Sequence, residues 1–181
     1  MKLINLTVLV GLAASVSAID VGLRSGSNCN SNGGGWLCTN LNPNTCCGIA
    51  TGSVSSVIFY AIPRDWFLQV RGHEGGSCGR VRTTENVQGA TERCLSNGQY
   101  TGAGYSFNSR KRGIMGTPED VCAASATCTP VLPDQLSLSD GQKYNIVDMD
   151  TGLLEELTEL MINGSVASDV PEVFKSFEVS A

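Results

Sequence analysis

The alternation of apolar and polar positions is clearest in two neighbouring stretches. Across residues 53–62, Val54, Ile58, Tyr60 and Ile62 occupy one face and Val57, Phe59 and Ala61 the other, which predicts a strand apolar on both faces and central in its sheet. Across residues 66–71, Trp66, Leu68 and Val70 face one way and Phe67, Gln69 and Arg71 the other, the half-buried pattern of a strand nearer an edge. Ile62-Pro63-Arg64-Asp65 reads as a turn between them, because proline presets its own φ, so an antiparallel pair is expected. His73-Glu74-Gly75-Gly76-Ser77 reads as a loop, residues 80–84 as a short strand, and residues 99–107 as a further strand bent by Gly102 and Gly104. Residues 19–31 read as a polar lead-in, Asn32-Gly33-Gly34-Gly35 as a flexible loop, and residues 40–44 as turn-rich.

Nearer the C-terminus the period changes. Leu136 and Leu138, an Asp140-Gly141 turn, and Tyr144 and Ile146 predict a hairpin. Leu153, Leu154, Leu157, Leu160 and Met161 then form an apolar stripe of helical spacing, with Asp150 or Thr151 to cap its start and Asn163-Gly164 to stop it. A last short helix is expected over residues 171–177, with proline in its first turn and Val173, Phe174 and Phe177 buried.

Composition adds the compartment. Residues 1–18 have Lys2 at the start, an apolar stretch, and Val16-Ser17-Ala18 as a small-residue cleavage pattern, so a secretory signal cut after Ala18 is predicted. No later apolar run is long enough to span a bilayer. All eight cysteines (Cys29, Cys38, Cys46, Cys47, Cys78, Cys94, Cys122 and Cys128) follow the signal, and in an oxidising compartment they read as four disulfides. Six of them lie between Cys29 and Cys94, a stretch that reads as a structural knot. Spacing leaves the pairing open, except that Cys46 and Cys47 should bond to different partners, since neighbours in an extended segment point to opposite faces. A zinc site is disfavoured by the single histidine and the lack of paired Cys-x-x-Cys spacings, and no metal or cofactor is expected.

Charge divides the chain. Residues 19–112 carry nine Lys/Arg against five Asp/Glu, and residues 113–181 carry two against twelve. The divide falls at Arg110-Lys111-Arg112, a stretch that a secretory endoprotease specific for paired basic residues would accept, with cleavage after Lys111-Arg112. Three parts are therefore expected: a signal at 1–18, a cysteine-rich basic β domain at 19–112, and an acidic segment with helices at 113–181, released or retained after a cut at Arg112. The fold class predicted is α+β, a small disulfide-stapled antiparallel β part followed by an acidic part with a hairpin and C-terminal helices. Cys122 and Cys128 would close a small loop in the acidic part, and Asn163-Gly164-Ser165 is an N-glycosylation sequon at a helix end.

Few side chains suggest chemistry. His73, Glu74 and Asp65 are the one acid/base grouping worth testing, although a glycine-rich loop is a poor scaffold for catalysis. Asp148 and Asp150, before Gly152, hint at a calcium loop, but the EF-hand order of ligands is not met and capping of the next helix explains them. Arg80 and Arg82 would share one face of a strand and meet an anionic partner, or receive the chain's own acidic segment. Trp36, beside the glycine loop, would either contact a ligand or cover the nearby disulfides. The charge balance is not that of a nucleic-acid binder.

The signal, the short mature chain, the eight cysteines with one Cys46-Cys47 doublet and the dibasic site resemble the small secreted cysteine-rich proteins of filamentous fungi, a group that includes effectors and some toxins. Hydrophobins also have eight cysteines, but with two doublets. The resemblance implies a secreted, extracellular effector or virulence-associated protein that binds a host or extracellular protein or polysaccharide. The competing expectations are a hydrolase of cell-wall polymers using His73 and a carboxylate, and a structural cell-surface protein.

Overall fold

The computed structural model describes residues 18–30, 34–108 and 128–180. The body of the signal, the Lys111-Arg112 cleavage site and Cys122 lie outside the described residues. In chain order the first strands are β1 (Ile19–Arg24), β2 (Gly35–Leu41), β3 (Thr45–Gly48), β4 (Ser56–Tyr60), β5 (Phe67–Glu74) and β6 (Arg80–Gln88). There follow β7 (Arg93–Leu95), β8 (Gly102–Phe107), β9 (Thr129–Val131), β10 (Gln135–Ser137), β11 (Lys143–Asn145), helix α1 (Thr151–Ile162) and β12 (Glu178–Val179). They form two sheets, one of seven strands in the order β12-β11-β10-β2-β1-β4-β7 and one of five in the order β6-β5-β8-β3-β9. Neighbours are antiparallel except β3 and β9, which run parallel.

Alternation decides which face each strand turns inward. In β1, Ile19, Val21 and Leu23 are buried in a core that also takes Val57 and Phe59 from β4, Leu68 and Val70 from β5, and Ala103 and Tyr105 from β8. Both sheets therefore share one apolar interior, as in a β-sandwich. The Tyr105 hydroxyl crosses it to donate a hydrogen bond to the Leu41 carbonyl, at 2.8 Å. Burying each such aliphatic or aromatic side chain contributes about 1.5–3 kcal/mol. A second, smaller core is built from Leu136, Leu138, Tyr144, Met149, Leu157, Met161 and Phe174. Trp36 of β2 packs against both cores and so marks the seam between them.

The doublet Cys46-Cys47 acts as expected. In β3 the two side chains point to opposite faces: Cys47 bonds Cys38 of β2 and so staples one sheet to the other, while Cys46 bonds Cys78 in the β5–β6 turn. Cys29 bonds Cys94 of β7, closing a separation of 65 residues. Cys128 is disulfide-bonded too.

The structure corrects the expected α+β class. Of the described residues 43% are strand and 15% helix, and the acidic part contributes strands to both sheets: β10 pairs with β2, and β9 with β3. Helix α1 is present as predicted, with the Asp150 carboxylate accepting from the Gly152 amide at 2.9 Å. The segment Glu172–Phe177 is a 3-10 helix rather than an α-helix, and it buries Phe174 while Val173 stays 52% exposed. The sequence pattern missed this class because it kept the predicted β10–β11 hairpin apart from the N-terminal sheets, and because β9 and β12, three and two residues long, are too short to show a period and take their register from neighbouring strands.

Two local expectations are also corrected. β4 and β5 do not pair but lie in different sheets. The turn after Pro63, closed by the Trp66 amide on the Pro63 carbonyl at 3.0 Å, carries the chain from one sheet to the other. The polar lead-in is in fact β1, which lies inside the seven-stranded sheet between β2 and β4.

Candidate functional site

His73 and Glu74 end β5 instead of beginning a loop, and as consecutive strand residues they face opposite sides of the sheet. The imidazole is buried, at 3% exposure, on a strand flanked by β6 and β8 and against the turn that carries Cys78 and Gly79. Its Nδ1–H donates to the Gly79 carbonyl at 3.2 Å, and its Nε2 has no hydrogen-bond partner. Burial pushes its pKa down; the Gly79 hydrogen bond opposes this and the positive charge of Arg71 adds to it. Asp65 is exposed and lies in the turn before β5, whose strand from Phe67 to His73 runs about 20 Å at roughly 3.3 Å per residue. The structure thus does not bring His73, Glu74 and Asp65 together.

Glu74 instead holds the two arginines singled out as a binding face. Arg80 Nε donates to Glu74 Oε1 at 2.7 Å, and Arg82 Nη1 to Oε2 at 2.5 Å. The Arg82 hydrogen bond, with Arg80, holds the Glu74 carboxyl below the usual carboxylate range. Among the described residues the acidic segment joins the fold along β2 and β3, through β10 and β9, rather than on this face. Asn163 caps the end of α1 and is exposed, and the Asp148–Asp150 stretch leads into the α1 cap.

A groove of about 520 Å³ lies at the seam that Trp36 marks. One wall is Ile49, Ala50 and Thr51, where the chain leaves β3, together with Leu132 and Pro133 between β9 and β10. The other is α1, which turns Thr151, Leu154, Glu155, Thr158 and Glu159 to it at helical spacing, with Ile146 beside them. Trp36 is held in place by pairing with Leu23 of β1 on one side and Leu136 of β10 on the other. Leu132 is 72% exposed at the rim. Of these residues the sequence singles out Trp36 alone as a candidate contact, while Ile146, Thr151 and Leu154 read as parts of the hairpin, the helix cap and the apolar stripe. Thr151, Glu155, Thr158 and Glu159 lie along the edge of the predicted apolar stripe, a signal for a boundary but not for a groove. Leu132 and Pro133 carry no periodic signal.

These features define a secreted, disulfide-stabilised protein of mainly β structure with an open groove at the junction of two cores. The N-terminal domain of the ARB_05566 family matches residues 20–134, and the C-terminal domain of the same family matches residues 139–181. The chain belongs to this family. It is similar to an uncharacterized secreted protein of Arthroderma benhamiae, 24% identical over 181 residues that cover 94% of this chain and 90% of that protein. No solved structure matches it. The protein is extracellular. The groove draws its lining from both matched domains.

Proposed function

We propose that this secreted protein is an effector-type binding protein that engages an extracellular or host target through the groove over Trp36. The observation that carries the reading is the groove itself, of a size typical for ligand sites and placed at a domain junction where such sites concentrate. Three disulfides among the described residues suit a binding scaffold exposed to proteases. The acid/base alternative finds less support, since the His73 ring is buried and Glu74 is engaged by two arginines on the opposite face.

The test measures binding of wild-type protein and the Trp36→Ala and Leu154→Asp variants to fractionated extracellular material of the host, with polymer turnover measured alongside. Loss of saturable binding in both variants supports the reading. Turnover that disappears in Glu74→Gln and survives in Trp36→Ala would overturn it in favour of a hydrolase.

Processing after Arg112 and a glycan on Asn163 belong to the same proposal. Such a cut would leave two pieces still joined by the β2–β10 and β3–β9 pairings, with the three assigned disulfides all upstream. Intact mass under native and denaturing conditions distinguishes a retained acidic chain from a released one.

A further inference from the structure

We infer that the groove over Trp36 takes a basic amphipathic peptide segment of a partner protein, its apolar side chains on the Trp36, Ile49 and Leu154 surface and its Lys or Arg against Glu155 and Glu159. The inference rests on the reading of that groove as the binding surface and names its ligand class.

The argument is electrostatic. Glu155 and Glu159 stand one helical turn apart on the groove wall, both are exposed, and neither joins an ion pair among the described residues. Like charges at this spacing destabilise a helix, so the arrangement costs stability unless a cation relieves it. Helix α1 compounds the field: it has no basic residue in its last turn, and Glu159 lies toward the end where the helix dipole is itself negative. Residues 128–180 contain ten Asp/Glu and two lysines, one of which, Lys175, is paired with Glu172. Beneath the carboxylates the wall is apolar, with Leu132 left 72% exposed at the rim. An anionic lipid surface or an acidic polysaccharide would meet repulsion here.

A second copy of this chain fits poorly. Each arginine among the described residues is already hydrogen-bonded: Arg24 to Ser137 and Tyr60, Arg64 to Gly89, Arg71 to Gln69 and Ser106, Arg80 and Arg82 to Glu74, and Arg93 to Glu85. Of the described cations outside the ion pairs, Lys143 and Arg64 are exposed at separate places on the fold, so neither supplies the paired charges that Glu155 and Glu159 ask for, which favours a partner of different sequence; Arg110, Lys111 and Arg112 lie outside the described residues.

The experiment titrates the full secreted protein calorimetrically with three synthetic amphipathic peptides that share one leucine face and carry Lys, Gln or Glu at every other position. The Lys peptide is expected to bind, more weakly as salt rises. The double variant Glu155→Gln/Glu159→Gln should lose about tenfold in affinity and most of the salt dependence. Leu132→Ser should lose about tenfold with the salt dependence kept, as expected for one leucine returned to water. All three positions are exposed, so folding is not at stake.

If the Gln or Glu peptide binds as tightly as the Lys peptide and Leu132→Ser weakens it, the groove stands and the basic ligand is wrong. If Lys-peptide binding ignores Leu132→Ser, Trp36→Ala and the double glutamine variant alike, the inference and the groove reading fall together. A concentration-dependent dimer broken by Leu132→Ser would overturn the inference by making a second copy the occupant. No heat with any of the peptides would overturn the peptide class, and the Trp36→Ala target-binding test would still decide the groove.

Discussion

Arg24 at the end of β1 donates a hydrogen bond to the hydroxyl of Ser137 on β10, reaching over Gly35 of the strand between them. The guanidinium is buried, at 7% exposure, and a second bond runs to the Tyr60 hydroxyl at 3.2 Å. This contact crosses from the basic to the acidic part of the chain. Ser137→Ala takes away an acceptor from a buried cation and should destabilise the protein by about 1.5–3 kcal/mol, with Tyr60→Phe smaller. Urea midpoints of the two variants test this, and equal midpoints to wild type would mean the Ser137 bond adds nothing.

Gly35 makes the reach possible. A Cβ built there would lie 2.1 Å from the Leu23 carbonyl oxygen, and the residue has φ of +153°, which L side chains rarely adopt. Gly35→Ala must push β1 and β2 apart at the groove, so a loss of about 3 kcal/mol, or failure to be secreted, is expected. Secreted yield and thermal midpoint are the readouts.

The disulfides should rank by the length of chain they close. Cys29–Cys94 spans 65 residues, Cys46–Cys78 spans 32 and Cys38–Cys47 spans 9. Chain entropy assigns them about 4, slightly under 4 and about 3 kcal/mol respectively. Pairwise replacement by alanine, followed by denaturant unfolding, checks the order. A larger loss for Cys38–Cys47 than for Cys29–Cys94 would show that joining the two sheets matters more than the unfolded chain's freedom.

His73 makes stability depend on pH. Its folded pKa lies below the ordinary value of 6.5 because burial disfavours the imidazolium. Above that value the ring is neutral in both states and the stability is fully present. As pH falls below 6.5 the unfolded chain takes up the proton first, so stability is lost down to the folded pKa. Glu74, depressed from 4.5, adds its own loss only below that second value. Unfolding midpoints measured from about pH 8 to pH 5 should fall for wild type and stay flat for His73→Gln. A slope kept in the variant would assign the effect to another group.

Legibility differs from element to element. β4, β5, β6, β8, the β10–β11 hairpin and α1 were readable from apolar period, turn chemistry and caps. β1 was readable in principle, since Ile19, Val21 and Leu23 alternate with Asp20, Gly22 and Arg24, but those polar and small partners dress it as a loop. β2 begins among glycines, which elsewhere mean turns but here serve close strand approach. His73 looked like a loop residue because Gly75 and Gly76 follow it, yet both glycines lie beyond the strand end, with φ of +85° and +94°. The groove was legible at Trp36 alone, since its walls come from segments up to 123 positions apart, from Trp36 to Glu159.

The sequence by itself determined export, the opposed facing of Cys46 and Cys47, and the capped helix that follows Asp150, because each depends on residues within a few positions of one another. Tertiary structure alone decided that β4 and β5 part into separate sheets, that the acidic segment completes both, that Glu74 closes on Arg80 and Arg82, and that Trp36 lines a groove. The reason is physical. A two-residue period says which face of a strand is apolar, whereas its hydrogen-bonding neighbour is selected by the burial that the whole chain achieves at once.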